Sequence, residues 1–402
     1  MAKWLSIFSG FIFMCSVYAQ SSQGISSQHL VILTSFPESF YSPIQTQFEQ
    51  SHPHVAVRVI NKKTPALIAH LKQDRSPKAD LVWLSSADAM AQLQLHGQVS
   101  DAYTFAWSQF GFFWDQSRLA ALNLPRPDSW ETLLQPQFRH QVAMSAPSRS
   151  GTNHLIIELI LQQYGWEEGW KLLLQLGGNL STITARSFGV REGILRQRFT
   201  VAPVVDFFYR SALAQGANVA FQPMRHTPLI PAQVGLTAHK DTHPKRQQFV
   251  DFLLSDQGQA ILSLPQVSRI SLTDAKQLSA YQPEFDAVLS ASRYNTVNAL
   301  FDQWITHRLE GLHTFWARWH ALNNQALTKP QRIELHRIVD RLMQIPVDES
   351  VASDPTLNRQ LSASQKYDAF YQRITQNWQT EMHTQLTEAM AVLATIESEV
   401  TQ

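Results

Sequence analysis

Cysteine is nearly absent from this 402-residue chain, which contains a single one, Cys15. A lone cysteine excludes an internal disulfide bond and any metal site built from several thiolates. Cys15 lies in the apolar N-terminal segment, and the Met14 before it is not the small residue that a lipoprotein signal requires. We therefore assign Cys15 no function, and the rest of the chain offers no thiol nucleophile.

The chain also lacks an excess of charge of either sign. Its 33 Lys and Arg residues stand against 32 Asp and Glu residues, so the formal net charge is +1. This balance gives no indication of a nucleic-acid partner, and there is no acidic tail. With 44% hydrophobic and 16% charged residues, the composition is that of an ordinary globular protein. Its length suits two or three lobes better than one core.

Long apolar runs are confined to the N-terminus. Lys3 provides a positive charge, Trp4–Tyr18 is mostly apolar, and Val17-Tyr18-Ala19 suits cleavage before Gln20. This pattern predicts a cleavable secretory signal over residues 1–19, the alternative being an uncleaved anchor. No later run is long and apolar enough to cross a bilayer. We therefore expect a soluble mature protein in an exported compartment, the periplasm.

Motifs typical of enzymes are missing as well. The sequence contains no GxSxG elbow, HExxH pair, Walker loop or dinucleotide fingerprint. Its 15 histidines are scattered, and no group of them has the spacing of a known metal site. We therefore expect neither catalysis, nor a cofactor, nor a bound metal. A binding protein and an interaction protein remain as the other two classes.

Strands alternating with helices dominate the first two thirds of the chain. Apolar strands at 29–33, 55–60 and 79–84 are separated by helical segments, which favours a parallel α/β sheet. In such sheets ligands bind beyond the carboxyl ends of the strands. The polar candidates at those ends are Thr34, Ser35, Ser85 and Ser86.

The stretch QVAMSAPSRSGTNHL, residues 141–155, is the most informative part of the sequence. A short strand leads through a Ser/Pro turn into an apolar-periodic helix. Hydroxyl groups, a flexible glycine and free backbone N–H groups gather at the helix N-terminus, which favours anions. The candidates are Ser148, Ser150, Gly151 and Thr152. The alternative is an ordinary N-cap with its turn residues.

Two further polar positions could face the same cleft. Arg186 and Ser187 lie in a loop that leads into a helix, and Arg186 could donate charge-assisted hydrogen bonds to a phosphate or carboxylate. Asp206 is the one carboxylate near the end of the apolar stretch 201–208, which we predict to be a strand. It could accept hydrogen bonds from sugar or glycerate hydroxyls. The alternatives are a solvated surface arginine and a structural cap.

The aromatic segment Phe105–Trp114 could be a strand that crosses into a second lobe, or plain core. After residue 283 strand signals stop. Helical patterns follow at 293–322 and 329–343, and a proline-containing linker is predicted at 344–359. A long amphipathic helix is predicted over 365–396. These helices either pack on the lobes or dock a partner, and we expect them to be dispensable for ligand binding but needed for output.

The order of several motifs resembles family 1 extracellular solute-binding proteins of ABC transport systems. The motifs are the first strand with its polar loop, ADLVWLSSAD, the aromatic crossing, LPRPDSWETLLQPQFRHQVAMSAPSRSGTNH and FVDFLLSDQGQAIL. The resemblance covers residues 28–276. The resemblance implies an α/β, two-lobed type II periplasmic-binding-protein fold without catalysis. Lobe one would comprise residues 28–105 plus 232–280 and lobe two residues 106–231. An all-helical C-terminal extension over residues 281–402 would follow.

Within that family the chain resembles the ferric-ion and phosphosugar branch. Ferric-binding members carry adjacent tyrosines where this chain has Phe207-Phe208, and phenylalanines serve a hard cation poorly. The DFF ending at Phe208, the TARSFGV loop and Ser268-Arg269-Ile270 are more similar to the phosphorylated-substrate members. The segment Ser292–Leu312 resembles the extension of members of the phosphoglycerate transport regulatory type. This implies a monomer that binds phosphoglycerate or a sugar phosphate and signals through a membrane sensor kinase. The alternative is an importer's receptor, read by an ABC permease, for ferric ion or another small solute.

Overall fold

Two five-stranded sheets organise the computed structural model, which describes residues 29–225, 227–239, 242–278, 285–362 and 365–401. The predicted signal over residues 1–19 lies outside these ranges. The strands are β1 (Leu30–Thr34), β2 (Val57–Asn61), β3 (Leu81–Leu84), β4 (Val99–Ser108), β5 (Phe110–Asp115), β6 (Val142–Ser145), β7 (Leu180–Thr184), β8 (Val201–Val205), β9 (Val219–Pro223) and β10 (Ile230–Thr237).

Helices connect and cover the strands, and a purely helical region follows the last strand pair. They are α1 (Glu38–Ser51), α2 (Thr64–Lys72), α3 (Ala87–Leu95), α4 (Gln116–Ala121), α5 (Trp130–Leu133), α6 (Gly151–Tyr164), α7 (Trp166–Gly177), α8 (Ser187–Leu195), α9 (Asp206–Ala214), α10 (Arg246–Leu254), α11 (Asp256–Ile261), α12 (Leu272–Leu278), α13 (Ala287–Ser292), α14 (Tyr294–Trp304), α15 (Leu309–Asn323), α16 (Lys329–Leu342), α17 (Glu349–Ala352), α18 (Pro355–Gln360) and α19 (Ala369–Thr401).

The first sheet, which defines lobe one, has the strand order β2-β1-β3-β10-β4. Strands β1, β2 and β3 run parallel, and β10 runs antiparallel to both β3 and β4. All four residues of β3 are buried, as expected for a central strand covered on both faces. The α/β organisation predicted from the alternation of strands and helices is confirmed.

The second sheet defines lobe two and has the order β7-β6-β8-β5-β9. The aromatic segment supplies a strand to each sheet, because β4 ends at Ser108 and β5 begins at Phe110. The segment Phe105–Trp114 therefore both crosses from lobe one to lobe two and contributes side chains to their cores. The chain returns between Pro223 and Ile230. The predicted boundaries at 105/106 and 231/232 fall inside β4 and β10, and the one at 280/281 lies outside the described residues, so the division into domains stays a prediction.

The helices α13–α19, here called the extension, pack mainly on lobe two. Their apolar side chains form one continuous core with those of lobe two, whereas most of lobe one is built on two clusters of its own. Trp304 of α14 lies 5.7 Å from Trp170 of α7, between ring centroids. A Cβ on Gly178 would lie 2.6 Å from Trp316, which shows how closely α15 approaches that glycine. None of the helices in the described ranges combines the length and apolar character of a membrane span.

Two predictions about local structure are wrong. The predicted strand over 201–208 ends at Val205, and Asp206 is the first residue of α9. An acidic residue in the first turn of a helix is favoured by the helix dipole, which the apolar pattern concealed. The predicted linker over 344–359 contains α17 and α18. Asp354 caps α18 by accepting hydrogen bonds from two backbone N–H groups, so Pro355 marks a helix start and not a loop.

Candidate functional site

A cavity with about 480 Å³ of empty space, part of it open to solvent, lies between the two lobes, at the ends of their strands. Lobe one contributes the loops after β1, β2 and β3, and lobe two contributes those after β6, β7 and β8. This is where open α/β sheets bind ligands. The described lining residues are Ser35, Phe36, Pro37, Lys63, Thr64, Ser85, Ser86, Arg149, Ser150, Gly151, Thr152, Arg186, Ser187, Phe188, Phe207 and Arg269.

Most of the site residues expected from the sequence lie together in this lining. They are Ser35, Ser85, Ser86, Ser150, Gly151, Thr152, Arg186 and Ser187. They come from four segments that are spread over more than 150 positions of the sequence. The fold therefore brings together two polar loops of lobe one and two of lobe two. Their placement makes them candidates for ligand contacts.

Three of the expected residues do not line the cavity. Thr34 is buried, donates a hydrogen bond to the Trp83 carbonyl oxygen at 2.8 Å and accepts one from the Phe36 amide at 3.1 Å. These bonds fix the loop after β1. Ser148 is half-buried in a 3₁₀ turn. Asp206 is buried behind the lining at the start of α9.

Three helices begin at the cavity wall. These are α2 at Thr64, α6 at Gly151 and α8 at Ser187. Their first backbone N–H groups have no partner within the helix, and the helix dipoles add partial positive charge there. In α6 the Ser150 hydroxyl caps one of these groups by accepting a hydrogen bond from the Asn153 amide at 3.3 Å. The wall of the cavity is therefore suited to an anion.

Gly151 is required by the close approach of the two lobes. A Cβ at this position would lie 2.7 Å from Thr64 Oγ1 and 2.9 Å from Ser86 Oγ, both of which belong to lobe one. Such distances are too short for a carbon–oxygen contact, so only glycine fits while the lobes are this close. The structure thus shows the cleft in a closed arrangement.

Sequence reasoning missed half of the lining, including three of its four cations: Lys63, Arg149 and Arg269. Arg269 had been singled out only as part of the resemblance, in Ser268-Arg269-Ile270. The sequence does contain an indication, since an arginine between the apolar residues Val267 and Ile270 suggests a buried charge, and buried charges often serve a function. Nothing in the local sequence, however, shows that the segment after α11 reaches the cavity.

Arg269 has the most unusual environment of the four cations. Its side chain is 3% exposed, and its Nε and Nη2 atoms have no hydrogen-bond partner among the described residues. The guanidinium carbon lies 3.7 Å from the ring centroid of Phe207 and 4.7 Å from that of Phe40. Burial lowers the pKa of Arg269 to about 9, an effect that the nearby Asp206 opposes. At neutral pH the group is still a cation, with N–H donors available to a ligand.

Asp206 is the counter-charge behind this arginine. Burial raises the pKa of its carboxyl to about 6, while Arg210 and Arg269 pull it down. Arg210 Nη2 lies 3.3 Å from Asp206 Oδ2. Asp206 lies outside the described lining, and neither of its carboxylate oxygens has a hydrogen-bond partner among the described residues. Its role as a hydroxyl acceptor stays a prediction.

The described lining contains four cationic side chains and no carboxylate, tyrosine or histidine. The cations form no ion pair with a carboxylate in the described part of the chain. Serine and threonine hydroxyls complete the polar wall. Such a donor-rich cavity matches an anionic ligand with several oxygen atoms.

The sequence matches the profile of the bacterial extracellular solute-binding protein family over residues 31–263. This chain belongs to that family. Its fold and family are those of substrate-binding proteins, whose chemistry is recognition of a small ligand. Solute-binding proteins close two lobes over that ligand, in keeping with the cavity between the lobes here.

Among curated relatives, the chain is 30% identical to the phosphoglycerate transport regulatory protein PgtC of Salmonella typhimurium. The alignment extends over 358 residues and covers 82% of this chain and 89% of PgtC. It therefore includes much more than the family profile and reaches into the extension or the segment before β1.

Solved structures show the same fold. One is the periplasmic binding protein AfuA from Actinobacillus pleuropneumoniae with fructose-6-phosphate bound, at a TM-score of 0.63 and 18% identity. The match covers 98% of AfuA but only 69% of this chain. Another is iron-bound HitA from Pseudomonas aeruginosa, at a TM-score of 0.51 and 16% identity, covering 59% of this chain and 84% of HitA. The two-lobed type II periplasmic-binding-protein fold expected from the sequence is confirmed, with a helical extension added to it.

Proposed function

We propose that the cavity binds a small phosphorylated anion, of the phosphoglycerate or sugar-phosphate type. The observation that carries the proposal is Arg269, a buried guanidinium at the cavity wall with unpaired N–H groups. A buried, unpaired donor is costly unless a ligand pairs with it. An oxyanion at this position would satisfy the arginine and accept further bonds from the N-terminus of α6.

The number of cations favours a ligand with more than one negative charge. Lys63, Arg149, Arg186 and Arg269 face one small space. A phosphate ester carries between one and two negative charges at neutral pH, and a carboxylate on the same molecule adds another. A three-carbon phosphorylated acid therefore balances the site better than a neutral sugar. The lining hydroxyls of Ser35, Ser85 and Ser150 are left for the remaining oxygen atoms.

The relatives support this ligand class. PgtC, with which the chain shares 30% of residues over most of both lengths, is a phosphoglycerate transport regulatory protein. AfuA, which has the same fold, has fructose-6-phosphate bound in its structure. The first similarity supports the chemistry, whereas the second shows only that the fold accommodates such a ligand.

For the output, we propose that the protein acts as a monomer in the periplasm, after removal of residues 1–19, and reports ligand to a membrane sensor kinase that induces transport. The extension supports this role. Nearly a third of this chain has no counterpart in AfuA, although almost all of AfuA is matched. The extension therefore offers a surface that AfuA lacks, and a sensor kinase could bind to that surface.

The alternative is a receptor that delivers ferric ion or another small solute to an ABC permease. Iron-bound HitA shares the fold, which keeps this candidate open. Ferric ion, however, prefers oxygen anions as ligands, and the described lining offers Phe207 and four cations in their place. A cationic cavity repels a trivalent cation, so the anion is the better match.

Calorimetry on the mature protein tests the ligand class. We expect 3-phosphoglycerate, phosphoenolpyruvate or a hexose phosphate to bind, and unphosphorylated glycerate, glucose and ferric citrate to give no heat. A hundredfold excess of ligand over Kd should also stabilise the protein by about 2.7 kcal/mol. Binding of neutral sugars or iron alone would overturn the proposal.

Measurements of uptake and induction in the native host distinguish a sensor kinase from an ABC permease as the partner. In a strain without this protein but with its transporter expressed constitutively, a sensor role leaves uptake intact and removes only induction of the transporter by external ligand. A receptor role removes uptake itself. Loss of uptake would therefore favour the permease alternative.

A further inference from the structure

A fully buried polar cluster joins lobe one, lobe two and the extension directly behind the cavity. Its members, here called the junction cluster, are Asp88 of α3, His154 of α6, Ser290 of α13 and Asn298 of α14. His154 Nε2 lies 3.2 Å from Asp88 Oδ2, and His154 Nδ1 lies 2.8 Å from Asn298 Oδ1. The Ser290 hydroxyl donates to Asp88 Oδ2 at 3.2 Å and lies 3.3 Å from His154 Nε2. The three parts of the molecule thus meet in one hydrogen-bonded network.

In each lobe a single hydrogen bond connects the junction cluster to a residue that lines the cavity. In lobe one, the hydroxyl of Ser86, which lines the cavity, donates to Asp88 Oδ1 at 2.5 Å. In lobe two, His154 lies one helical turn after Ser150, and its amide donates to the Ser150 carbonyl oxygen at 2.9 Å. A shift of Ser86 or of the α6 N-terminus on ligand binding therefore acts directly on the Asp88–His154 pair.

The extension is attached to lobe two independently of this pair. Arg293, at the start of α14, donates from Nη2 to Glu158 Oε2 of α6 at 2.8 Å, and both side chains are completely buried. Its guanidinium also lies 5.1 Å from the ring centroid of Trp166 and pairs with Glu349 of α17. With the continuous apolar core, these contacts hold the extension to lobe two.

The extension also contacts lobe one, through α13 at the junction cluster and through a cavity that Tyr294 and Arg359 line together with residues of α2 and α3. Helix α13 lies against α3, and the Tyr294 side chain belongs to a lobe-one apolar cluster. The centroid of its ring lies 4.1 Å from that of His154, with the two rings tilted by 36°. If the lobes separate at this place, Asp88 of α3 moves away from His154 of α6. Helices α13 and α14, which contact α3 and α6 respectively, cannot then keep both of these contacts unchanged. The complete network therefore exists only while α3 of lobe one and α6 of lobe two are in contact.

We propose that the junction cluster is a closure latch, in which Asp88 and His154 are positioning residues that couple ligand occupancy of the cavity to helices α13 and α14. This inference rests on the proposed function, because the ligand is what closes the lobes. A ligand that favours the closed form must favour the latch, and by linkage the latch must favour the ligand. The position of the extension then differs between the ligand-free and the ligand-bound protein, so a partner that binds the extension can distinguish the two states.

Distance measurements between the lobes test the latch. Spin labels are placed at Thr46→Cys on α1 and Ala120→Cys on α4, both exposed, in a chain whose only other cysteine, Cys15, is changed to serine. Double electron–electron resonance is recorded without ligand and with 3-phosphoglycerate. In the parent we expect a short-distance population in the absence of ligand, which grows when ligand is added. In Asp88→Asn and His154→Gln we expect that population to fall and the affinity to drop about tenfold or more.

Ser290→Ala provides a milder variant in case the buried charge changes unfold the protein. Ser292→Ala is the matched control, since its hydroxyl bonds only to the Leu289 carbonyl oxygen within α13. Ser290→Ala should lose short-distance population and Ser292→Ala should not. Folded variants with the parent's distances under both conditions would overturn the latch. A parent that ignores 3-phosphoglycerate and all other phosphate esters would overturn the proposed function, and the ligand-free distances would still decide on the latch.

Discussion

At the residue scale, the chemistry of the site depends on where each charge lies and not on how many charges the chain has. The net charge is close to zero, yet four cations line one cavity without a carboxylate among the described lining residues. Arg269 is almost completely buried, whereas Arg186 is half-buried and lies 5.8 Å from the Phe188 ring centroid. Hydrogen bonds from a buried cation are strengthened by the low local dielectric, so the two arginines should not contribute equally.

Replacement of Arg269 by glutamine should weaken binding of 3-phosphoglycerate by about 1.5–3 kcal/mol, because a charge-assisted bond in a water-excluded wall is lost. Arg186→Ala should weaken it less, since water can replace part of a half-buried side chain. Titration calorimetry measures both. Arg198→Gln, an exposed arginine outside the cavity, is the control and should bind as the parent does. Parent-like affinity of Arg269→Gln would remove this residue from the site.

The raised pKa of Asp206 predicts a dependence of stability on pH. The folded protein binds the carboxyl proton more tightly than the unfolded chain, because burial raises the pKa from 3.8 to about 6. This contribution to stability is complete below about pH 4 and is lost as pH rises through 6. Asp206→Asn should remove the effect, so its stability relative to the parent should rise between pH 4 and pH 7 by at most about 3 kcal/mol.

Urea unfolding of both proteins at several pH values in that range measures the difference. A constant difference across the range would mean that Asp206 titrates normally in the folded protein, and its burial between Arg210 and Arg269 would then have no energetic consequence.

At the element scale, the helix N-termini and their loops create the site, and α6 contributes most. Its first turn lines the cavity, and further along it carries His154 and Glu158, which bond to the extension. The cavity and the extension therefore contact the same helix. The fit of α6 against lobe one depends on Gly151, whose missing side chain leaves room for Thr64 and Ser86.

Gly151→Ala should impair closure without impairing folding. Alanine favours a helix more than glycine does, so the free energy of unfolding should stay the same or rise. The added methyl group, however, would lie 2.7 Å from Thr64 Oγ1 and 3.0 Å from Thr64 Cγ2, so rotation of the threonine cannot relieve the contact. We expect about 1–3 kcal/mol weaker ligand binding.

Gly189→Ala is the matched control for this change. Gly189 lies in the first turn of α8, where a Cβ would have its nearest contact at 3.4 Å. Calorimetry should show a loss of affinity for Gly151→Ala alone. Equal affinities of the two variants would show that the lobes do not come this close in the bound protein.

At the scale of the whole molecule, the extension is part of the packed structure. Helix α19 buries Trp378, Met382 and Leu393 against the rest of the extension. Arg318 of α15 and Glu397 of α19 form an ion pair, with 2.8 Å between Nε and Oε1. These contacts change the expectation drawn from the sequence, in which the helical tail was dispensable for binding.

A chain ending at Leu322 should therefore be less stable and prone to aggregate. It keeps every described residue of the cavity lining but loses α16–α19, which exposes the apolar faces of α14 and α15. Thermal unfolding and size-exclusion chromatography measure this, with Leu393→Ala in the full chain as a milder change that should cost about 2–5 kcal/mol. A shortened chain that is monomeric, melts like the parent and binds ligand fully would show that α16–α19 are a separable surface.

The sequence by itself determined the class of fold and about half of the candidate site. Alternating strands and helices specify an α/β sheet because their hydrophobic periods are local properties. The loops with Ser35, Ser85 and Ser150 could be found because polar residues at strand ends and helix starts have a local signature. For the same reason the hydrophobic periodicity after residue 283 predicted the helical extension.

Only the tertiary structure decided the rest. Whether Arg269 meets Arg186, and whether Asp88 meets His154 and Ser290, depends on contacts between residues that are 66 to more than 200 positions apart. Local sequence cannot encode such meetings, since burial and charge pairing arise only when distant surfaces pack. Asp206 illustrates the same limit, because its place at the start of a helix, its burial and its arginine neighbours all come from packing.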